Sequence, residues 1–197
     1  MLNQISPAPG APKSTNDELN DLLLGCHQRI RYFTAVAAKL AHAQGASPKE
    51  VQDAADTVYR YYSVSLPLHE ADEEDSLRPR LSSVDDPKLH HALAAMHDQH
   101  MAIDDLLERL LPLLRLVGNN PDVIAETGGE MCSITGALGE MFDAHLKMEE
   151  EVIFPAMAQS LTENDRAGLL SEMRNRRKQG TPSSRGVTAS ETEVSQA

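Results

Sequence analysis

Two segments of the sequence repeat the same set of potential metal ligands. The first reads HEADEEDSLRP from His69 to Pro79, and the second reads HLKMEEEVIFP from His145 to Pro155. Both keep a His, a Glu four residues later, a second Glu directly after it, and a Pro ten residues after the His. Residues four apart lie on one face of a helix, so each His can share a site with the first Glu of its segment.

Each segment is preceded along the chain by a His-x-x-Ile motif, HQRI at His27 and HMAI at His100. The chain therefore contains two similar helix pairs, which can close into one bundle around a pseudo-twofold axis. Its core would hold four imidazoles and two carboxylates. Isolated buried carboxylates are too costly to persist without partners or a metal. This ligand set suits iron, manganese or zinc rather than calcium or copper(I), and two carboxylates could bridge two ions. The candidate ligands are His27, His69, Glu73, His100, His145 and Glu149.

Capping signals and apolar periodicity predict four long helices, over residues 17–44, 47–76, 87–117 and 121–160. Asn16 or Asp17 would cap the first and Gly45 would end it. Ser47-Pro48-Lys49-Glu50 is a capping box that would start the second, which should stop before Arg78-Pro79. Pro112 predicts a kink in the third helix. The glycines of the fourth predict a break or a close helix contact.

The fold class that follows is all-α, an up-down-up-down four-helix bundle with a short fifth C-terminal helix. The bundle would span residues 17–160 and the fifth helix residues 161–178. Residues 1–16 and 179–197 are rich in small and polar residues, and we expect a disordered arm and tail there.

Composition limits the class of partner. The formal net charge is -12, so nucleic acid is not expected, because phosphate contacts need clustered Lys and Arg. The sequence shows no signal-peptide pattern and no apolar stretch long enough to span a membrane. We therefore predict a cytoplasmic protein with no membrane partner and with Cys26 and Cys132 as reduced thiols. The sequence identifies no protein partner.

HQRI, HEADEEDSLRP, HMAI and HLKMEEEVIFP together resemble the hemerythrin-like proteins, also called HHE cation-binding domains, from about Asp17 to Gln159. That resemblance implies a four-helix bundle around two non-haem iron ions with carboxylate and oxo or hydroxo bridges. It implies that the six candidate residues are the ligands and that the ligand to be bound is a small molecule, O2 first and peroxide or NO next. Manganese and zinc remain alternatives to iron.

The resemblance includes one departure. Oxygen-carrying hemerythrins use HxxxH on the third helix and HxxxxD on the fourth. Here the third helix has His97 and His100, and the fourth has HxxxE. This pattern is similar to the H–HxxxE–H–HxxxE subgroup of bacterial hemerythrin-like proteins. A more carboxylate-rich site should favour the ferric state and oxidative chemistry over simple oxygen carriage.

Four further residues are candidates for the site. His97 could be a fifth His ligand or a neighbour of the site, and Glu70 could be a ligand because it follows His69. Glu74 and Glu150 recur in both segments but point about 100° away from the preceding Glu. We expect them to form salt bridges or orient a ligand His rather than bind metal.

Three function classes remain open at this point. The protein could bind or sense a small oxidant, it could be an enzyme that consumes peroxide or NO, or it could be a bundle in which metal only stabilises a surface for protein contacts. A ferritin-like oxidase is disfavoured, because that class uses Glu-x-x-His on its helices and the sequence has no such pair.

Overall fold

The computed structural model describes residues 14–179, and the rest of the predicted disordered arm and tail lies outside the described residues. Between residues 14 and 179 the chain forms helices and turns with no β-strand, which confirms the all-α prediction. The helices in order are α1 (Thr15–Leu40), α2 (Pro48–Arg60), α3 (Leu66–Ala71), α4 (Arg78–Leu81), α5 (Pro87–Asn119), α6 (Ile124–Met148), α7 (Phe154–Ser160) and α8 (Glu163–Gln179).

Two of the four bundle helices are composites. The second bundle helix runs through α2, α3 and α4, which are joined by π-helical segments at Tyr61–Ser65 and Asp72–Leu77. The fourth bundle helix begins with a 3₁₀ turn at Pro121–Val123 and joins α6 to α7 through a π segment at Glu149–Ile153. The first and third bundle helices are α1 and α5.

Each π segment ends two residues before a proline, at Pro67, Pro79 and Pro155. A proline lacks the N–H for the helical hydrogen bond, and its ring crowds the carbonyl four residues earlier. A wider turn with bonds to the fifth residue back relieves that crowding. The second bundle helix can therefore continue to Leu81, beyond the end expected near Ser76. Proline is not sufficient by itself, since α5 passes Pro112 as α-helix.

The helix ends follow capping chemistry, with shifts at both ends of the first helix. The capping box at Ser47 and Glu50 is present as predicted, and Asp86 caps α5. At the first helix Ser14 is the cap, accepting from the backbone N–H of Asp17 at 3.2 Å, so that Asp17 lies in the first turn. The first helix ends at Leu40, before the end expected at residue 44, so Gly45 does not end it. Gly45 instead adopts φ 92° in the loop that follows α1.

The four bundle helices pack as a closed ring in which α1 contacts α2 and α6, and α5 contacts the same two. Short connections make successive helices antiparallel, which gives the predicted up-down-up-down bundle. The helix α8 packs against α1 and against the π segment Asp72–Leu77, and it is the short fifth helix. None of the helices within residues 14–179 is both long and apolar enough to cross a membrane.

The apolar core is divided into two clusters with a polar layer between them. On α1, Leu23 belongs to one cluster and Ile30 to the other, and the buried His27 lies between them. On α5, Met96 and Ile103 flank His100 in the same way. The bundle therefore shields its polar layer from both ends.

Gly128 on α6 confirms the expected close helix contact, because a Cβ there would lie 2.6 Å from the backbone oxygen of Ala41. The helix does not break at its glycines, since α6 is continuous from Ile124 to Met148.

Candidate metal centre

The polar layer contains the six side chains that the sequence singled out, brought together from all four bundle helices. All six are buried, with at most 4 % of any of them exposed. Their potential ligand atoms form two groups, His27, His69, Glu73 and Glu149 in one and Glu73, His100, His145 and Glu149 in the other. Within each group the ligand atoms lie within 4.8 Å of one another. The two carboxylates belong to both groups.

The two oxygens of each shared carboxylate face different groups. Glu73 has Oε1 at 3.2 Å from Nε2 of His69 and Oε2 at 3.3 Å from Nε2 of His100. Glu149 has Oε1 at 3.2 Å from Nε2 of His145 and Oε2 at 3.1 Å from Nε2 of His27. This is the arrangement that two bridging carboxylates need to hold two neighbouring cations.

Most of the polar atoms at the centre lack a hydrogen-bond partner within the described part of the chain. Nε2 of His27, Nε2 of His69 and all four oxygens of Glu73 and Glu149 are buried without a hydrogen-bond partner there. Buried polar groups without partners are costly. A pair of cations would satisfy these atoms together, so the donor set fits a dinuclear metal site.

The ionisation of the centre also favours bound cations. Burial raises the pKa of Glu73 to about 7, and burial together with repulsion from Glu73 raises the pKa of Glu149 to about 7. Burial and the neighbouring imidazoles hold the pKa values of His69 and His145 well below the usual range. Burial opposes the protonated form of His100, but the carboxylates of Glu73 and Glu74 outweigh it and raise its pKa to about 10. Cations would hold both carboxylates ionised and the imidazoles neutral.

Glu74 and Glu150 form the contacts that the repeat predicted, each with the imidazole of a candidate ligand across the bundle. Nδ1 of His100 lies 2.8 Å from Oε1 of Glu74, and Nδ1 of His27 lies 2.8 Å from Oε1 of Glu150. Each carboxylate is in turn paired with an arginine, Glu74 with Arg78 at 2.7 Å and Glu150 with Arg31 at 3.0 Å. Such hydrogen bonds fix the tautomer so that Nε2 is free to bind metal.

The imidazoles of His145 and His69 differ in whether Nδ1 has a hydrogen-bond partner. Nδ1 of His145 lies 3.1 Å from the side-chain oxygen of Gln99. Nδ1 of His69 has no hydrogen-bond partner among residues 14–179. Sequence reasoning missed Gln99, because a Gln beside a candidate ligand on a helix carries no distinctive signal.

The remaining candidates lie outside the two groups. Nδ1 of His97 is 3.1 Å from Oε1 of Glu74, and its side chain is 39 % exposed, so His97 supports Glu74 from the surface. Glu70 is partly buried and belongs to neither group.

Asp72 is a buried charged residue that sequence reasoning did not identify. It lies directly before Glu73, and its two oxygens pair with Arg176 and Arg177 of α8 at 2.5 and 2.6 Å. Burial raises the pKa of Asp72 although both guanidiniums oppose that rise. These two ion pairs hold α8 against the segment that carries Glu73.

A four-helix bundle with buried, paired His and Glu groups in its core defines a metal-binding helical bundle. The family model of the Hemerythrin HHE cation binding domain matches residues 18–128, more than half of the chain, and the protein belongs to that family. The matched residues include His27, His69, Glu73 and His100, while His145 and Glu149 are joined to them by the geometry of the bundle. No curated protein sequence matches the chain significantly.

Proposed function

We propose that the protein holds two non-haem iron ions, one in each group of ligands, and uses them to bind or sense a small oxidant. The observation that supports this most strongly is the division of each carboxylate between the two groups, Glu73 between His69 and His100 and Glu149 between His145 and His27. Two imidazoles and two carboxylate oxygens per ion are fewer ligands than octahedral coordination needs, which leaves positions for an external ligand. Manganese or zinc in place of iron is an outcome that metal analysis would reveal.

Dioxygen is the first candidate ligand, and peroxide and NO come next. A ferrous pair can supply one electron per ion to such a molecule. The residues of the chain would favour this chemistry by excluding water, because the centre lies between two apolar clusters. The ring of Phe154 lies 5.0 Å from that of His27 and forms part of this apolar surround.

Glu74 and Glu150 would have a positioning role. By accepting the Nδ1–H of His100 and of His27, they orient one imidazole toward each ion and raise its basicity. The arginine paired with each carboxylate keeps it ionised, and the pKa of Glu74 falls to about 2 because the hydrogen bonds from His100 and Arg78 outweigh its burial.

We further propose a cytoplasmic location and no nucleic-acid partner. The two cysteines are free thiols, which suits a reducing compartment. The net charge of -12 opposes binding to phosphate backbones.

The test is anaerobic purification, a metal count, and visible spectra before and after exposure to air. Two irons per chain and a new charge-transfer band in air would support the proposal. A band that reverses under vacuum indicates binding or sensing, whereas rapid loss of added peroxide or NO with turnover indicates an enzyme. A colourless protein with a single zinc, or with metal near zero, would refute the di-iron centre and leave a structural bundle. His90→Ala, an exposed His outside both groups, serves as the control variant.

A further inference from the structure

A cavity of about 300 Å³ lies directly beside the centre, on the side of His69. Its lining includes two guanidinium groups, a phenol, a hydroxyl and a thiol besides the imidazole, and contains no carboxylate. The polar residues are Cys26, Arg29, Tyr61, Ser65, His69 and Arg177.

His69 contributes an unused hydrogen-bonding atom to this cavity. The Nδ1 atoms of His27, His100 and His145 each have a side-chain oxygen as partner. Nε2 of His69 faces Glu73, so Nδ1 is the ring nitrogen left for the cavity, and it has no partner within residues 14–179. His69 is only 3 % exposed. A neutral imidazole that presents Nε2 to a cation carries its proton on Nδ1, so the atom lacks an acceptor.

Two guanidiniums approach the same cavity from different helices. Nη2 of Arg29 on α1 lies 3.1 Å from Sγ of Cys26, and Nη2 of Arg177 on α8 lies 3.6 Å from the same sulfur. Arg177 is also paired with Asp72 and donates from Nη1 to the backbone oxygen of Met173 at 2.8 Å. The hydrogen bond to Cys26 uses only one of the five N–H donors of Arg29. Asp72 is shared between Arg176 and Arg177, so it does not balance the guanidinium of Arg29 as well.

The same two arginines line two neighbouring pockets, the cavity beside His69 and a second one. The second is a wider outer groove that contains Glu18 and Asp21. Arg29 is exposed, so a solute can reach its guanidinium without unfolding of the bundle. Glu18 and Asp21 line the outer groove and are absent from the lining of the cavity beside His69.

We propose that this cavity binds a small planar oxyanion carrying one negative charge, held by Arg29 and Arg177 and accepting the Nδ1–H of His69. The planar fork of a guanidinium matches two oxygens of such an ion. Carboxylates and inorganic ions such as nitrate share this chemistry. The occupant would give His69 the acceptor that the other three imidazoles already have, and so would connect a solute of the cell to the metal centre. The binding site stands on the cavity and the arginines, whereas the Nδ1–H donor of His69 and the connection to iron rest on the proposed function.

The test is calorimetric titration of the full chain, as purified and with its metal content measured, with sodium formate and separately with sodium nitrate at constant ionic strength. We expect millimolar binding of at least one probe. Arg29→Gln should weaken binding by about tenfold or more, because it removes a charge-assisted pair of hydrogen bonds. Arg109→Gln removes an exposed guanidinium paired with Glu130, far along the chain from the cavity lining, and should bind as the wild type does.

The outcomes distinguish a carboxylate ligand from an inorganic one, and binding in the cavity from direct coordination by the metal. Formate alone indicates a carboxylate ligand, nitrate alone an inorganic oxyanion, and both indicate the shared planar chemistry. Binding of neither probe, or equal binding by Arg29→Gln and the wild type, would overturn the proposal, and the second result would indicate direct coordination by the metal. If the sample carries no metal, the di-iron proposal fails while the comparison of Arg29→Gln with Arg109→Gln still decides this site.

Discussion

Glu150 accepts a hydrogen bond from Nδ1 of His27 at 2.8 Å, although the two residues lie on the fourth and first bundle helices. The equivalent contact in the other half of the repeat joins Glu74 to His100 at the same distance. In both halves the Glu that follows a candidate ligand reaches across to the His of the other repeat unit. The repeat therefore builds one interlocked centre, because His27 and His100 each take their carboxylate partner from the other unit.

Replacing Glu150 with Gln should weaken metal binding without unfolding the bundle. The amide can still accept a hydrogen bond, but it loses the charge that raises the basicity of His27, and we expect about a 10- to 100-fold loss of affinity. Competition with a chelator would measure it. Glu151→Gln, an exposed neighbour near Lys147, is the matched control, and an equal loss there would show that only surface charge matters.

Glu73→Gln and Glu70→Gln form a second matched pair, since both residues lie beside His69 on the second bundle helix. Glu73 belongs to both ligand groups and Glu70 to neither. We expect Glu73→Gln to lower the metal content from about two ions per chain to one or fewer, because a neutral amide is a poor bridging ligand. Glu70→Gln should keep the wild-type content. Elemental analysis of both variants shows which of the two carboxylates holds metal. Loss of metal in Glu70→Gln would add that residue to the site.

The sequence predicted the positions of the helices and the convergence of the six candidate ligands because both depend on local rules. The capping box at Ser47 and the spacing of His69 and Glu73 act over a single helical turn. The second copy of each motif then indicated that all four helices contribute to one polar site in the core. That these six residues bind metal stays a prediction, as does the subgroup with the HxxxE spacing.

The features that the sequence did not predict arise from packing between distant parts of the chain. The π segment at Asp72–Leu77 reflects how the chain accommodates Pro79 within a buried helix, whereas Pro112 is accommodated without one. The pairing of Asp72 with Arg177 depends on where α8 docks. The missing partner of His69 depends on the shape of a cavity, which no local pattern encodes.

Gly128→Ala should destabilise the bundle, because the new Cβ would lie 2.6 Å from the backbone oxygen of Ala41, the residue that caps the C-terminal end of α1. Overpacking of this kind costs roughly 1–3 kcal/mol. Gly136→Ala on the same helix meets nothing within 4 Å and should instead stabilise the protein, by about 0.5–1 kcal/mol, through helix propensity. Denaturant unfolding of both variants at equal metal content measures the difference. Similar losses in the two would show that α1 and α6 are not packed as closely as the structure has them.

Metal binding should weaken as the pH falls below 7. Without cations, burial raises the pKa of Glu73 to about 7, and burial with repulsion from Glu73 raises that of Glu149 to about 7. Both carboxyls are therefore increasingly protonated below that pH, and each ion must displace protons to bind. Where one carboxyl proton is displaced per ion, the affinity falls about tenfold for each pH unit below the pKa. A weaker dependence should continue above pH 7, because Glu73 and Glu74 outweigh burial and raise the pKa of His100 to about 10, so metal must displace that proton as well.

Chelator competition between pH 8 and pH 5 would measure this dependence, with proton release on binding recorded in the same titrations. Glu74 contributes nothing to it, because its hydrogen bonds from His100 and Arg78 outweigh its burial and lower its pKa to about 2, well below the range tested. The variant Glu73→Gln should show a shallower slope, since it retains only one of the two carboxyls that titrate near pH 7. A flat profile for the wild-type protein across this range would mean that Glu73 and Glu149 are already ionised before metal arrives. Their surroundings would then be more hydrated than the 0 % exposure of these two side chains indicates.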